Sequence, residues 1–477
     1  MNWETVIGLE VHAQLNTKSK LFSGASTAYG ASPNAHTSFV DAGLPGVLPV
    51  LNKEAVKKAL QFGLAINAEI NNHSYFERKN YFYPDLPKGY QISQFVRPIV
   101  GEGTLDVTLS DGSTKAVSIV RAHLEEDAGK SVHDAHPTFT GVDLNRAGTP
   151  LLEIVTSPCM YSAQEAIAYL KTLHQLVRFI GICDGNMQEG SFRCDVNISL
   201  RPAGSETLGT RTELKNLNSF KFIEKAISYE QAKHQDCLES GKTIIQETRL
   251  YSPDTNTTHS MRSKESENDY RYFPDPDLLP IFVSDAWLTS IKDTLPKPPS
   301  DIKAELQQHA DLKEDDISFI LATLETVSYF YSVKEQSSAS AKQIANWMKG
   351  PYAAALNEAG LSFEHPPIDA NILGDLLSRV TSNKLSSNHA KTVFSKLLAG
   401  EGALGDIIAS GGFESSFDQE QLIAIIEKTI TSNPKQAEDY KNGKTKLLGF
   451  FVGQVMKQTK GQANPADVSR LVEERLR

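Results

Sequence analysis

Acidic and histidine side chains recur on one side of four stretches with strand-like alternation. These are Val6–Leu15 (VIGLEVHAQL), Val117–Asp127 (VSIVRAHLEED), Arg193–Leu200 (RCDVNISL) and Arg211–Leu217 (RTELKNL). In the first, Ile7, Leu9, Val11, Ala13 and Leu15 fall on one side, and Glu10, His12 and Gln14 on the other. In the third, Cys194, Val196, Ile198 and Leu200 oppose Arg193, Asp195, Asn197 and Ser199. Strand side chains alternate with period two, so each pattern gives one apolar and one functional face. A face that only meets water has no need of an imidazole and a carboxylate two residues apart. A hard cation acting on a phosphate needs several oxygen ligands held rigidly. The spacing therefore points first to a metal–phosphate site, with Glu10 and His12 as its sharpest pair and Glu125, Glu126, Asp195 and Glu213 as further oxygen donors to weigh.

Each of these residues also has a plain structural reading. A lone strand histidine is usually hydrogen-bonded structure, but Glu10 beside His12 favours the metal. Strict alternation puts His123 and Glu125 on one face and Glu126 on the other, although a strand end or bulge would bring both glutamates to the site. Lys215, Arg193 and Arg211 suit phosphate neutralisation, and equally suit salt bridges that hold the carboxylates. The segment 76–94 is dense in Arg, Lys, Tyr and Pro, as a substrate loop over a sheet would be, or an aromatic-packed structural loop. Asn145 and Arg146 lie in a similar loop-like stretch. Several decoys fail. Gly241-Lys242-Thr243 resembles the end of a P-loop, but position 236 is Asp. There is no GxGxxG, no HExxH, and no serine pair of an amidase nucleophile after Gly411-Gly412.

The elements that would position these groups change character along the chain. Its first ~290 residues alternate like strands, broken by Gly, Pro and Asn. One clear helix interrupts them: Ser162 to Glu165 reads as a capping box, Ile167, Leu170, Leu173, Val177 and Ile180 follow helical spacing, and Gly181 suits the stop. This predicts an α+β fold with a largely antiparallel sheet. Prolines near 275–280 and 295–300 mark a break, helical periodicity follows to about Gly402, and Ser410–Phe413 marks a second break. The predicted domains are 1–293, 294–405 and 406–477. In the last, Leu448, Phe451, Val452 and Val455 share a helical face, and Gly449 and Gly453 would let another backbone approach. Gly461 ends that helix, and Asn464-Pro465 starts the next. Lys435, Lys441, Lys444, Lys446, Lys457 and Lys460 make the tail locally basic, either a solvated helix surface or an RNA contact. Ser263–Asn268 reads as a polar loop.

Composition is that of an ordinary soluble protein: 477 residues, 40% hydrophobic, 22% charged. No apolar run reaches the roughly 18 residues of a membrane span, and the N-terminus has no signal-peptide pattern. Four cysteines form no CxxC pair, which fits reduced thiols in the cytoplasm and gives no zinc site. The net charge of −10 confines any nucleic-acid contact to a local basic patch.

Ten blocks from end to end resemble the GatB family, the B subunits of aspartyl/glutamyl-tRNA amidotransferases. They are Glu4–His12, Gly43–Asn52, Arg78–Gln94, His123–Lys130, Val142–Pro150, Glu189–Leu200, Glu213–Phe220, Gln246–Arg249, Asp269–Asp277 and Lys446–Pro465. The resemblance implies a sheet-based kinase-like domain similar to the glutamine synthetase catalytic fold, then helical domains ending in a tRNA-binding tail that carries Lys441, Lys444, Lys446, Lys457 and Lys460. It implies ATP and Mg²⁺ as cofactors and phosphorylation of the side-chain carboxylate of misacylated Glu-tRNA(Gln) or Asp-tRNA(Asn). Within a heterotrimer, ammonia from an amidase (glutaminase) partner then displaces the phosphate, and a small third partner clamps the assembly. Glu10, His12, Glu125, Glu126, Asp195 and Glu213 would supply ligands, and Lys79, Arg193 and Lys215 would contact phosphate or carboxylate. Some members carry a cysteine pair before the Gly43 block; here residues 33–42 read PNAHTSFVDA, so zinc is not expected. Two competing readings are a tRNA-binding scaffold with a structural ion, and a metal-dependent phosphohydrolase acting alone.

Overall fold

The computed structural model describes residues 2–133, 138–263, 269–413, 419–459, 463 and 465–476. They form two compact units, Met1–Pro299 and Ser300–Arg477.

The first unit is α+β. Its strands in chain order are β1 (Trp3–Gln14), β2 (His73–Ser74), β3 (Glu77–Asn80), β4 (Tyr90–Ser93), β5 (Gly103–Thr108), β6 (Thr114–Glu126), β7 (Lys130–Val132) and β8 (Gly141–Asp143). They continue as β9 (Pro150–Thr156), β10 (Phe192–Pro202), β11 (Thr212–Lys215), β12 (Glu247–Ser252), β13 (Thr257–Ser263), β14 (Phe273–Pro274) and β15 (Ile281–Phe282). Eight of them build one sheet in the order β13-β12-β11-β10-β1-β9-β6-β5. Every neighbouring pair is antiparallel except β11 with β12, so the sheet is mixed. A smaller sheet, β14-β3-β4, lies over part of it.

The alternation does what the sequence predicts for β1 and β10. Ile7, Leu9, Val11, Val196 and Ile198 are fully buried in one apolar core, while Glu10, His12, Arg193, Asp195 and Asn197 stay partly open. That core is completed by helices α1 (Lys53–Ala65), α2 (Ala163–Phe179) and α3 (Phe220–Glu239), with α4 (Asp285–Lys292) against α1. Only α2 was expected, so α1, α3 and α4 correct the reading of one helix. In α2, Ser162 accepts from the Glu165 N–H, but the Glu165 carboxylate accepts from the Tyr161 N–H, one residue beyond the expected box partner. Gly181 follows with φ +68°, which suits a helix stop.

The second unit is helical: α5 (Pro299–Gln307), α6 (Glu314–Ile320), α7 (Leu324–Glu335), α8 (Ala341–Trp347), α9 (Ala353–Ala359), α10 (Ala370–Thr381), α11 (Ser387–Leu398) and α12 (Leu404–Gly411), then α13 (Gln419–Thr431), α14 (Pro434–Lys441), α15 (Leu448–Gln458) and α16 (Pro465–Leu476). Leu422, Ile426, Phe451, Val455, Val468, Leu471 and Val472 make an apolar core of the last four's own. Nothing lies within 4 Å of a Cβ built on Gly449 or Gly453, so the expected close backbone approach is absent among the described residues. Gly461, Asn464, Lys460 and most of the polar loop to Asn268 lie outside the described residues. No helix among them is long and apolar enough to cross a membrane.

Candidate metal and phosphoryl-transfer site

Register builds the site. On β9, Glu153 is the cross-strand partner of His12 on β1 and, on its other side, of His123 on β6. Glu10 faces Asp195, and His12 faces Arg193, across the β1–β10 ladder. Asn197 faces Glu213 across β10–β11. A row of functional side chains thus runs over five adjacent strands, held by a sheet whose other face is buried.

His12, Glu125 and Glu153 offer ligand atoms within 4.8 Å of one another. The His12 Nε2 lies 3.6 Å from Glu125 Oε1 and 3.4 Å from Glu153 Oε2. His123 Nε2 lies 3.6 Å from Glu125 Oε2 and 3.3 Å from Glu153 Oε2, and its Nδ1 is buried without a partner. Burial opposes charging of His12, but the hydrogen bond and charge of Glu153, with Glu125, raise its pKa above the usual value. The same contest pushes His123 up to about 9, through Glu153 and Glu125. Burial pushes Glu153 upward, but the two imidazoles more than offset it and hold the carboxyl well below the usual range. Glu10 goes the other way: burial first, then the charges of Glu153 and Asp195, raise it, against a 2.9 Å hydrogen bond from Asn197. Such crowding of carboxylates is relieved by a cation. Two carboxylates and one imidazole offer a divalent cation three ligand atoms.

These groups line one wall of a cavity of about 370 Å³. Lys79, Tyr81 and Gln91, from β3, β4 and the turn between them, line it too, with Asp127, Arg193, Asp195 and Lys215. Burial lowers and the Glu125 charge raises the Lys79 pKa, for a net rise. Arg193 donates to Asp127 at 3.0 Å, and Lys215 is paired with Asp195 and, at 3.2 Å, Glu213. Both cations therefore hold carboxylates while facing the cavity.

Not every expected residue joins the cluster. The β6 bulge falls between Ile119 and Arg121, upstream of the glutamates. Alternation therefore continues undisturbed to the strand end, and Glu126 points away from Glu125. Its carboxylate is occupied by Lys88 and by the Ile92 N–H at 2.8 Å. Glu213 accepts from Thr248 Oγ1 at 2.6 Å, two strands from His12. Arg211 is exposed. Arg146 donates to the Ala128 and Gly129 carbonyls, and Asn145 to that of Ser32, so both fasten loops. In the tail, Lys441, Lys444, Lys446 and Lys457 are exposed, and Lys444 pairs with Asp439 at 3.0 Å.

Sequence reasoning missed Glu153, His123 as a neighbour of both carboxylates, and the buried Asp127. A signal existed for the first: Glu153 is the one charge in the apolar run PLLEIVT.

A family model described as the GatB/GatE catalytic domain matches residues 5–289, and one described as the GatB domain matches residues 328–476. The chain belongs to the GatB family. It is 62% identical over 476 residues to the B subunit of the aspartyl/glutamyl-tRNA(Asn/Gln) amidotransferase of Legionella pneumophila (strain Lens), covering all of both chains. The proteins of that description from Thioalkalivibrio sulfidiphilus and Coxiella burnetii (strain CbuG_Q212) are 55% and 54% identical, again over the full length of both chains. The whole site row, from Glu10 to Glu213, lies inside the segment matched by the GatB/GatE catalytic domain.

Proposed function

We propose that this chain activates the side-chain carboxylate of a misacylated Glu-tRNA(Gln) or Asp-tRNA(Asn) for amidation, as the B subunit of a glutamine-dependent amidotransferase. The observation that carries the reading is the His12–Glu125–Glu153 cluster at the wall of a polar cavity, inside a GatB/GatE catalytic domain match. In the reaction, a carboxylate oxygen attacks the γ-phosphorus of ATP and ADP leaves. Ammonia then attacks the acyl carbon, phosphate leaves, and the amide remains. A Mg²⁺ ion held by His12, Glu125 and Glu153 would neutralise phosphate oxygens and align the two reactants. Glu10, Asp195 and Glu213 keep the rest of the row acidic. Lys79 supplies a positive charge from the opposite wall, where the transferred phosphoryl group needs one. Arg193 and Lys215 fix Asp127 and Asp195 and present their remaining donors to the cavity. Glu126, tied to Lys88, supports β4 rather than the ion.

The open acidic face of the sheet supports a likeness to the glutamine synthetase catalytic fold. The end of the first unit at Pro299 supports a division near 293, and the separate core of α13–α16 supports a further one after α12, which packs on α11, rather than at 405 inside it. Ammonia would come from an amidase (glutaminase) partner, with a small third partner completing a cytoplasmic heterotrimer; no zinc enters the scheme.

The test is His12→Ala in the reconstituted complex, with ammonia as donor. Amidation of misacylated tRNA should fall roughly 100-fold or more, while cooperative thermal unfolding persists. Near-normal amidation would remove His12 from the site. The scaffold and stand-alone phosphohydrolase readings predict, respectively, full activity in Glu125→Gln and phosphate release without tRNA.

A further inference from the structure

One surface beside the cavity is unexplained by the chemistry above. Phe82 is 87% exposed and its neighbour Tyr83 56%, so two adjacent large rings stand open to solvent at this point. They sit on the turn between β3 and β4, next to Tyr81, which lines the cavity. Tyr83 packs edge-on to Tyr81 at 6.0 Å, and Tyr81 in turn meets Tyr270 at 6.1 Å. The Lys79 ammonium lies 5.0 Å from the Tyr270 ring centre. A Cβ on Gly89 would come within 3.0 Å of the Phe82 ring, and Gly89 has φ +75°, so this glycine both turns the chain and seats the ring. The rings thus run outward from the cavity to solvent, with a cation at the inner end.

The substrate's chemistry fits this arrangement. The carboxylate to be activated is joined to the terminal ribose of a tRNA by a handful of bonds. When it reaches His12, Glu125 and Glu153, the unpaired bases next to it must lie at the cavity mouth. Unpaired bases bind by stacking on aromatic faces, with cations taking the phosphates. We propose that Phe82 and Tyr83 form a stacking platform for the single-stranded 3′ end of the aminoacyl-tRNA, continuous with the cavity through Tyr81 and Lys79. This rests on the carboxylate-activating role of that cavity.

The test uses the complete complex, with Phe82→Ala/Tyr83→Ala and, separately, Phe82→Trp. Amidation is measured with ammonia as donor, together with complex assembly and the fluorescence of uncharged tRNA carrying 2-aminopurine as its terminal base. The double variant should raise the KM for aminoacyl-tRNA roughly tenfold or more and lose the quenching seen with the unaltered complex. The KM for ATP and assembly should not change, and Phe82→Trp should keep both tRNA readouts. An unchanged KM for tRNA overturns the platform. A raised KM for ATP in its place assigns the rings to the nucleotide, and failure of the complex to assemble assigns them to a protein interface; either also overturns it. If the unaltered complex with ammonia makes no amide, the underlying reading of the cavity fails instead.

Discussion

Glu153 is the residue on which the cluster turns. It stands between two imidazoles, and it shares a possible ligand position with His12 and Glu125. Glu153→Gln keeps the shape of the side chain and removes its charge. It should weaken metal binding because a neutral amide oxygen is a poorer ligand for a hard cation. It should also release both histidines from the charge that raises their pKa values. The expected outcome is a 10–100-fold increase in the Mg²⁺ concentration needed for half-maximal amidation, by analogy with the usual cost of disturbing a metal shell, about 10–100-fold. A Mn²⁺ titration followed by electron paramagnetic resonance reads the same loss without turnover. Unchanged Mn²⁺ affinity would leave the cluster a buried charge network only. The residues legible beforehand were those whose neighbours alternate, such as Glu10 and His12. Glu153 was hidden because Leu151, Leu152 and Ile154 around it are all buried, so its strand reads as a continuous apolar run.

At the scale of elements, the same physics explains which helices could be read. In α2 the apolar stripe is clean, and the Ser162 cap announces it. In α3 the buried side includes Glu230 and His234 beside Ile223, Ala226 and Ile227, so the hydrophobic period is blurred. For α1 the signal was present and overlooked: Asn52 caps the Glu54 N–H, and Ala55, Ala59, Leu60 and Gly63 recur at helical spacing. The polar interior of α3 is a bolt to the sheet edge. Glu230 accepts from Thr258 Oγ1 at 2.6 Å and Lys233 at 2.7 Å, and lies 3.4 Å from both Arg249 Nε and His234 Nε2. Burial disfavours its charge, yet the hydrogen bonds from His234, Lys233 and Thr258 hold its pKa down to about 2. The unfolded value is near 4.5. The charged, paired form therefore stabilises the fold fully above about pH 4.5, and that stability is lost as pH falls from there towards 2. Glu230→Gln should cost on the order of 3 kcal/mol at neutral pH, because Arg249 and Lys233 keep only Glu247 as a carboxylate partner and the buried charge they share is lost. Its penalty should shrink between pH 4.5 and 2. Urea unfolding across that range measures both effects. A penalty independent of pH would mean that packing, not the charge, fastens α3.

At the scale of the whole molecule, an acidic chain has to hold an RNA. Three parts were expected; the first change, from strand to helical periodicity near 293, falls close to the end of the first unit at Pro299, while the second, near 405, lies inside the second unit. What the lysine spacing could not decide was whether Lys441, Lys444, Lys446 and Lys457 merely keep a helix surface wet. All four are exposed, three of them on or beside the short turn between α14 and α15, while Phe451 and Val455 anchor α15 from its other side. A net charge of −10 repels a polyanion at long range, so a local basic surface has to supply a disproportionate share of the affinity. Because α13–α16 have an apolar core of their own, removing residues after Gly411 takes that core away whole rather than cutting it open. The truncated chain, assembled with its partners, should bind ATP as before, since the row from Glu10 to Lys215 lies in the first unit. Its KM for aminoacyl-tRNA should rise strongly. The slope of log affinity against log salt should also become shallower, by about 0.7–0.9 for each phosphate no longer neutralised. Filter binding at several salt concentrations separates the two readings. If both affinity and slope survive truncation, the lysines solvate a helical surface and the RNA is held elsewhere.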